Sequence, residues 1–105
     1  MTEKFLHNPH AGNILKIEFL DELPLSQNAL AKAIGVPPNR IHAIVNGTRR
    51  VTADTDLRLC KYFGLSEGFW LRLQNTYETR EAKRTIEKQI AKIKPHKFTE
   101  HHAGA

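Results

Sequence analysis

The stretch SQNALAKAIGVPPNRIHAIVN, residues 26–46, leaves this chain few ways to fold. It reads as two short helices joined by a tight turn. Leu30, Ala31 and Ile34 fall on one face of the first helix, and Ser26 stands where a hydroxyl can accept an orphan backbone N–H. Gly35 follows the last apolar residue, where a residue without a Cβ most easily takes the left-handed conformation that ends a helix. Val36 fills the space beneath the turn. Pro37 and Pro38 open the second helix, where no backbone N–H is needed. Ile41, Ile44 and Val45 recur at helical spacing, and Asn46-Gly47 ends the run. Counted from Gln27, Ala31 is fifth, Gly35 ninth, Val36 tenth, Ile41 fifteenth and Ile44 eighteenth. A helix-turn-helix needs that order. A small residue lies where the second helix crosses the first, a glycine makes the turn, and three apolar residues set the crossing angle. The plainer alternative is an αα-hairpin with no ligand.

The rest of the chain supplies helices to pack around this pair. At 105 residues it is sized for one domain with a modest core. Residues 1–9 read as a flexible arm, because Asn8-Pro9 disfavours helix. A first helix is expected over residues 12–23, with Ile14, Leu15, Phe19, Leu20 and Leu23 inward and Lys16, Glu18 and Glu22 opposite. Thr52 is the expected N-cap of a fourth helix, with Asp54 and Asp56 favourable in its first turn. Leu57, Leu59, Cys60 and Phe63 form its buried side, and Gly64 ends it. Ser66 is the expected cap of a fifth, in which Phe69, Trp70, Leu73 and Tyr77 share a core-facing stripe. Residues 10–77 thus make up the helix-turn-helix domain. Residues 78–94 are a basic helical extension with Ala82, Ile86, Ile90 and Ile93 at helical spacing, either continuing the fifth helix or following a break near Thr79. Pro95 stops it, and residues 95–105 read as a disordered tail. No strand pattern occurs, so the expected fold is all-α, with five or six helices.

Charge and chemistry narrow the function. A formal net charge of +5 suits a polyanionic partner. The single cysteine, Cys60, excludes an intramolecular disulfide and fits a reducing cytoplasm. No apolar run approaches the roughly 20 residues of a membrane helix, and no export signal is visible at the start. A nucleophile elbow, a P-loop and a dinucleotide fingerprint are all missing. Cys60 lies on an apolar helix face, where thiols pack rather than react. His96, His101 and His102 can gather a metal adventitiously, but a catalytic zinc needs three ligands on rigid elements. No metal, cofactor or enzymatic activity is expected.

Several blocks together resemble one family. They are residues 10–15 (HAGNIL), 25–31 (LSQNALA), 35–41 (GVPPNRI), 44–47 (IVNG), 52–55 (TADT), 57–59 (LRL) and 69–74 (FWLRLQ). This set is similar to the HigA-type antitoxins, also described as virulence-associated protein I, within the XRE group of lambda-repressor-like helix-turn-helix proteins. The resemblance spans residues 10–77, about two-thirds of the chain. Ala11 and Asn13 depart from a proline and a glutamate usual beside Gly12, and Asp56 replaces a small or apolar residue. These departures are read as touching helix starts and the surface. They leave the fold reading intact but carry over no partner contacts of the first helix.

The resemblance implies that the third helix enters the major groove of DNA by its N-terminal half. Pro37, Pro38, Asn39, His42, Ala43 and Asn46 face outward there. Asn39 and His42 can bond base edges, and Pro38 or Ala43 can touch a thymine methyl. Gln27 resembles the family's phosphate-clamping residue, and Arg40, Thr48, Arg49 and Arg50 would hold the backbone. The plainer alternatives make Asn39 a helix cap, His42 a solvated side chain and Arg49-Arg50 an ordinary exposed loop. The resemblance further implies a small ribonuclease toxin as partner and repression of a shared promoter. A palindromic operator and a homodimer follow from the short reach of one recognition helix, with Ile86, Ile90 and Ile93 as the expected interface. Alternatively that stripe folds back as a brace. Two other readings stay open: a free-standing XRE-type regulator without a toxin, or an RNA-binding or protein adaptor using the basic segment 83–97.

Overall fold

The computed structural model describes residues 8–97. In order, α1 (Ala11–Ile14) runs directly into a π-helical segment (Leu15–Leu20), followed by α2 (Gln27–Ile34), α3 (Pro38–Asn46), α4 (Ala53–Phe63) and α5 (Phe69–Ala91). There is no strand among the described residues, so the fold is all-α as expected.

The helix-turn-helix forms for the reasons its residues supply. Ser26 Oγ accepts the Ala29 N–H at 3.0 Å at the start of α2. Gly35 ends α2 with φ 75°, and Gly47 ends α3 with φ 82°. Ala31 and Ile41 are fully buried where α2 and α3 cross. Thr52 Oγ1 accepts the Thr55 N–H at the start of α4. Leu15, Leu30, Leu59 and Trp70 complete the centre of the core. Phe19 packs between Phe63 and Trp70, at ring separations of 4.8 and 5.0 Å. Each fully buried side chain of this size is worth about 1.5–3 kcal/mol.

Three expectations need correction. The first helix starts earlier and ends sooner. His10 Nδ1 accepts the Asn13 N–H at 3.2 Å while Asn13 Oδ1 accepts the His10 N–H at 3.0 Å, a reciprocal cap. Beyond Ile14 the turns widen, with the Asp21 N–H reaching Lys16 O. The wider turns shift the apolar register, and Leu23 is left 55% exposed outside the helix. Second, Leu57 is also exposed, because Thr55, Asp56, Leu59 and Cys60 are the side of α4 that turns inward.

Third, Asp56 is not a surface residue. It is buried, and it does what was expected of Ser66. Its Oδ2 accepts the Gly68 N–H at 2.7 Å, and its Oδ1 accepts those of Trp70 at 2.9 Å and Leu71 at 3.3 Å. A carboxylate from α4 thus caps α5, whose own N-cap residue is Gly68 at φ 90°.

Of the two courses open beyond Tyr77, α5 takes the first and continues without a break at Thr79. It continues to Ala91, with one irregular residue at Ile86 (φ −114°, ψ 23°). The far half leaves the domain and stretches the molecule to 53 × 29 × 23 Å. Ile86, Ile90 and Ile93 are exposed, so the stripe does not fold back as a brace. Asn8 Nδ2 donates to Tyr77 O at 2.8 Å and Glu81 Oε2 at 3.1 Å, which ties the end of the N-terminal arm to α5. Residues 1–7 of the arm and 98–105 of the tail lie outside the described residues.

Candidate nucleic-acid interface

α3 presents two unlike faces because its apolar residues repeat every three or four positions. Ile41 and Ile44 are buried, while Pro38, Asn39, His42 and Asn46 are exposed and Ala43 is half-buried. Asn39 makes no side-chain cap: α3 starts at Pro37 without one. Its amide therefore stays on the outer surface. Gln27, Asn28, His42 and Asn46 line one shallow groove between the start of α2 and the outer face of α3. Across it, His42 Nε2 lies 3.0 Å from Asn28 Oδ1. The structure thus brings Gln27 of α2 beside the two outward α3 residues His42 and Asn46.

The basic residues divide into two kinds. Arg49 is exposed at the tip of the loop after α3, and Thr48 closes that helix, its hydroxyl donating to Ala43 O at 3.2 Å. Arg50 is exposed but forms a two-bond pair with Glu78, Nε to Oε2 at 2.6 Å and Nη2 to Oε1 at 2.9 Å. The hydrogen bond to Arg50 holds the Glu78 carboxyl below its usual range, and the same bond raises the Arg50 guanidinium further. Arg40 turns toward α4, with Nη1 3.6 Å from Asp54 Oδ1. Asp54 also binds Arg58 Nε at 2.7 Å, and Arg58 Nη1 donates to Ile34 O at 2.8 Å. Arg58 therefore satisfies the C-terminal end of α2 and fixes it against α4.

Behind the loop, Gln74 is buried and reads the backbone of Val51 on both sides. It accepts the Val51 N–H at 2.6 Å and donates to Val51 O at 2.9 Å. This clamp and the Asp56 cap went unnoticed in the sequence, where both residues look like ordinary polar positions of a helix. Their one available signal was placement: Gln74 follows four residues after the core tryptophan, and Asp56 precedes the core Leu59 and Cys60.

Burial pushes the Cys60 thiol up, and its Sγ faces Ser66 O at 3.3 Å and Asp56 Oδ1 at 3.6 Å. Among the described residues no three His, Cys, Asp or Glu side chains gather as a metal site. His101 and His102 lie outside them.

The helix-turn-helix family model matches residues 16–70. Virulence-associated protein I of Dichelobacter nodosus is 48% identical over 73 residues, which cover 70% of this chain and 68% of that one. Among solved structures, the antitoxin HigA of Pseudomonas aeruginosa with the higBA promoter is 39% identical, with a TM-score of 0.78 over 85% of this chain and 98% of that one. An addiction-module antidote protein of the HigA family from Coxiella burnetii is 41% identical, with a TM-score of 0.79 over 87% of this chain and 100% of that one. By sequence and by fold, the chain belongs to the helix-turn-helix family, among the HigA-type antitoxins.

Proposed function

We propose that this chain is a sequence-specific repressor that binds double-stranded DNA. In this reading it is also the antitoxin of a type II pair, neutralising a small ribonuclease toxin and repressing their shared promoter. The observation that carries the first half is the outward face of α3. Pro38, Asn39, His42, Ala43 and Asn46 face out there, Gln27 lies at one edge, and Arg49 stands at the tip of the following loop. Polar side chains on the helix read base edges, and the flanking amide and cation hold phosphates. Arg50 can join them by exchanging Glu78 for a phosphate, while Arg40 acts from behind, through Asp54. The toxin half rests on the family alone, whose solved members include an antitoxin HigA and an addiction-module antidote protein. The family is one of regulators and antitoxins, and this chain is not an enzyme.

A homodimer on a palindromic operator suits this surface. One α3 reads only a few base pairs, and two placed about 34–36 Å apart read a whole site. Joining two half-sites makes the second engagement intramolecular and raises avidity without new contacts. Ile86, Ile90 and Ile93 form the exposed apolar stripe suited to a second copy. A cytoplasmic location follows from the DNA target, and no described helix is long and apolar enough to cross a membrane.

Footprinting on the chain's own upstream region, with and without the product of the neighbouring gene, tests the proposal. The expected result is protection of two symmetric half-sites, altered when a toxin-sized neighbour is added. Protection that ignores every neighbour would support the free-standing regulator. Equal affinity for random duplex and single-stranded RNA would sink the repressor reading.

A further inference from the structure

Asn28 lies outside the DNA-contacting set expected from the sequence, yet it touches the one imidazole in that set. Its Oδ1 is 3.0 Å from His42 Nε2, although the residues belong to different helices. With the amide oxygen turned toward the ring, the contact is a hydrogen bond only if the ring donates from Nε2, since a carbonyl oxygen can only accept. In the neutral imidazole the lone pair then sits on Nδ1, the one hydrogen-bonding atom this contact leaves over. A free, solvated histidine exchanges between both tautomers and can offer a donor or an acceptor. His42 braced by Asn28 offers an acceptor.

We infer that Asn28 is a positioning residue for base recognition: it locks His42 into the Nε2–H tautomer, so that Nδ1 selects an exocyclic amine, adenine N6 or cytosine N4, in the major groove. Guanine O6 and N7 and thymine O4 are acceptors and are rejected at that position. The inference deepens the repressor reading and rests on it. It adds a residue of α2 to the specificity of α3. The shared groove of Gln27, Asn28, His42 and Asn46 puts the brace beside the reading face rather than behind it. Both side chains are exposed, so the brace contributes to orientation and not to the core.

Two measurements on the full chain test it. Nitrogen–proton correlation spectra of the imidazoles in the DNA-free protein report the His42 tautomer, assigned by its loss in His42→Ala. The expected pattern is Nε2–H in the wild type and a mixture in Asn28→Ala. Enrichment from a duplex library randomised over about three helical turns reports base preference. The wild type should favour adenine or cytosine at one position of each half-site, and Asn28→Ala should flatten that preference by about fivefold, the worth of one oriented hydrogen bond. Asn28→Asp keeps an acceptor but favours the imidazolium, so it should keep the preference only at alkaline pH, where the ring is neutral and Nδ1 has its lone pair, while binding all duplexes more weakly through its added charge. An Nδ1–H tautomer in the wild type, or unchanged preference in Asn28→Ala, overturns the inference. If the wild type enriches no sequence, the repressor reading itself has failed and takes the inference with it, whatever the tautomer.

Discussion

Asp56 and Trp70 stand on successive helices, and the carboxylate of the first accepts the backbone N–H of the second at 2.9 Å. The same carboxylate takes the Gly68 N–H, so α5 is capped from α4. Removing a buried acceptor from backbone donors leaves them without water or partner. Asp56→Ala should therefore destabilise the domain by about 2–3 kcal/mol, with Asp56→Asn only partly better because its NH2 cannot accept. Urea unfolding measures both. A loss below about 0.5 kcal/mol for the alanine variant, the level of an ordinary surface change, would mean that the cap is dispensable.

Gly12 and Gly35 offer a comparison in rank. A Cβ at Gly12 would meet Ile44 O at 1.9 Å and Ile44 C at 2.7 Å, both backbone atoms of α3. A Cβ at Gly35 would meet only the Arg58 guanidinium at 3.2 Å, although φ there is 75°. Gly12→Ala must push α1 off α3 and should cost about 2–4 kcal/mol. Gly35→Ala should cost about 1–2 kcal/mol from backbone strain, and Gly35→Val more. Melting curves of the alanine variants should give that order; the reverse order would contradict the packing described.

His10 ties stability to pH. Burial lowers its pKa, and its Nδ1 must be unprotonated to accept the Asn13 N–H. Arg49, Arg50, Tyr77 and Glu78 line the same small cavity. The folded-state value lies below the unfolded one, so the stabilisation is fully present above about 6.5, the ordinary histidine value. It is lost as pH falls from there through the folded value. His10→Ser keeps a capping oxygen that does not titrate. The difference in unfolding free energy between wild type and His10→Ser should shrink or change sign as pH drops from 8 to 5, roughly the span across that ordinary value. A difference that stays constant with pH would assign the titration elsewhere.

Base reading and phosphate holding should separate by mutation. Asn39→Ala and His42→Ala should each cost about 1–3 kcal/mol on the enriched site and relax preference there. Arg49→Ala should weaken every duplex alike and reduce the salt slope by about one unit. Glu78→Gln releases Arg50 from its pair and should act oppositely, strengthening binding to any duplex at low salt. Equal losses on specific and random DNA for Asn39 and His42 would refute their assignment.

The isoleucine stripe predicts assembly. An Ile86→Ala, Ile90→Ala double variant should sediment as a lighter species than the wild type at micromolar concentration, with its melting temperature nearly unchanged, since both side chains are exposed in one copy. A wild type that is monomeric both in solution and on its operator rules the dimer out. A dimer indifferent to the double change moves the interface elsewhere.

Local chemistry made much of this fold legible. Ser26, Gly35, Gly47, Thr52 and Gly64 end their helices where the sequence places them, because caps depend on neighbours within a few residues. The inward residues of α2 and α3 were equally plain from their period. What escaped were bonds between helices. Asp56 reads as a first-turn acid and Gln74 as one more polar residue of a long helix, because periodicity gives a face and not a partner. Leu57 and Leu23 look buried by type, yet register and an early helix end put them outside. The outward face of α3 was legible by position, whereas the Arg40, Arg50 and His42 partnerships belong to side chains brought together only by folding.

The bond pair between Gln74 and Val51 has a mechanical consequence. Val51 directly follows Arg49 and Arg50, and both of its backbone groups are engaged by one amide on α5. A side chain here plays the part that a neighbouring strand plays in a sheet, and the loop loses the freedom to shift alone. With Arg50 tied to Glu78 one turn further on, the loop is fastened to α5 at two successive turns, both ahead of the irregular residue at Ile86. Any reorientation of that part of α5 would carry Arg49 and Arg50 with it.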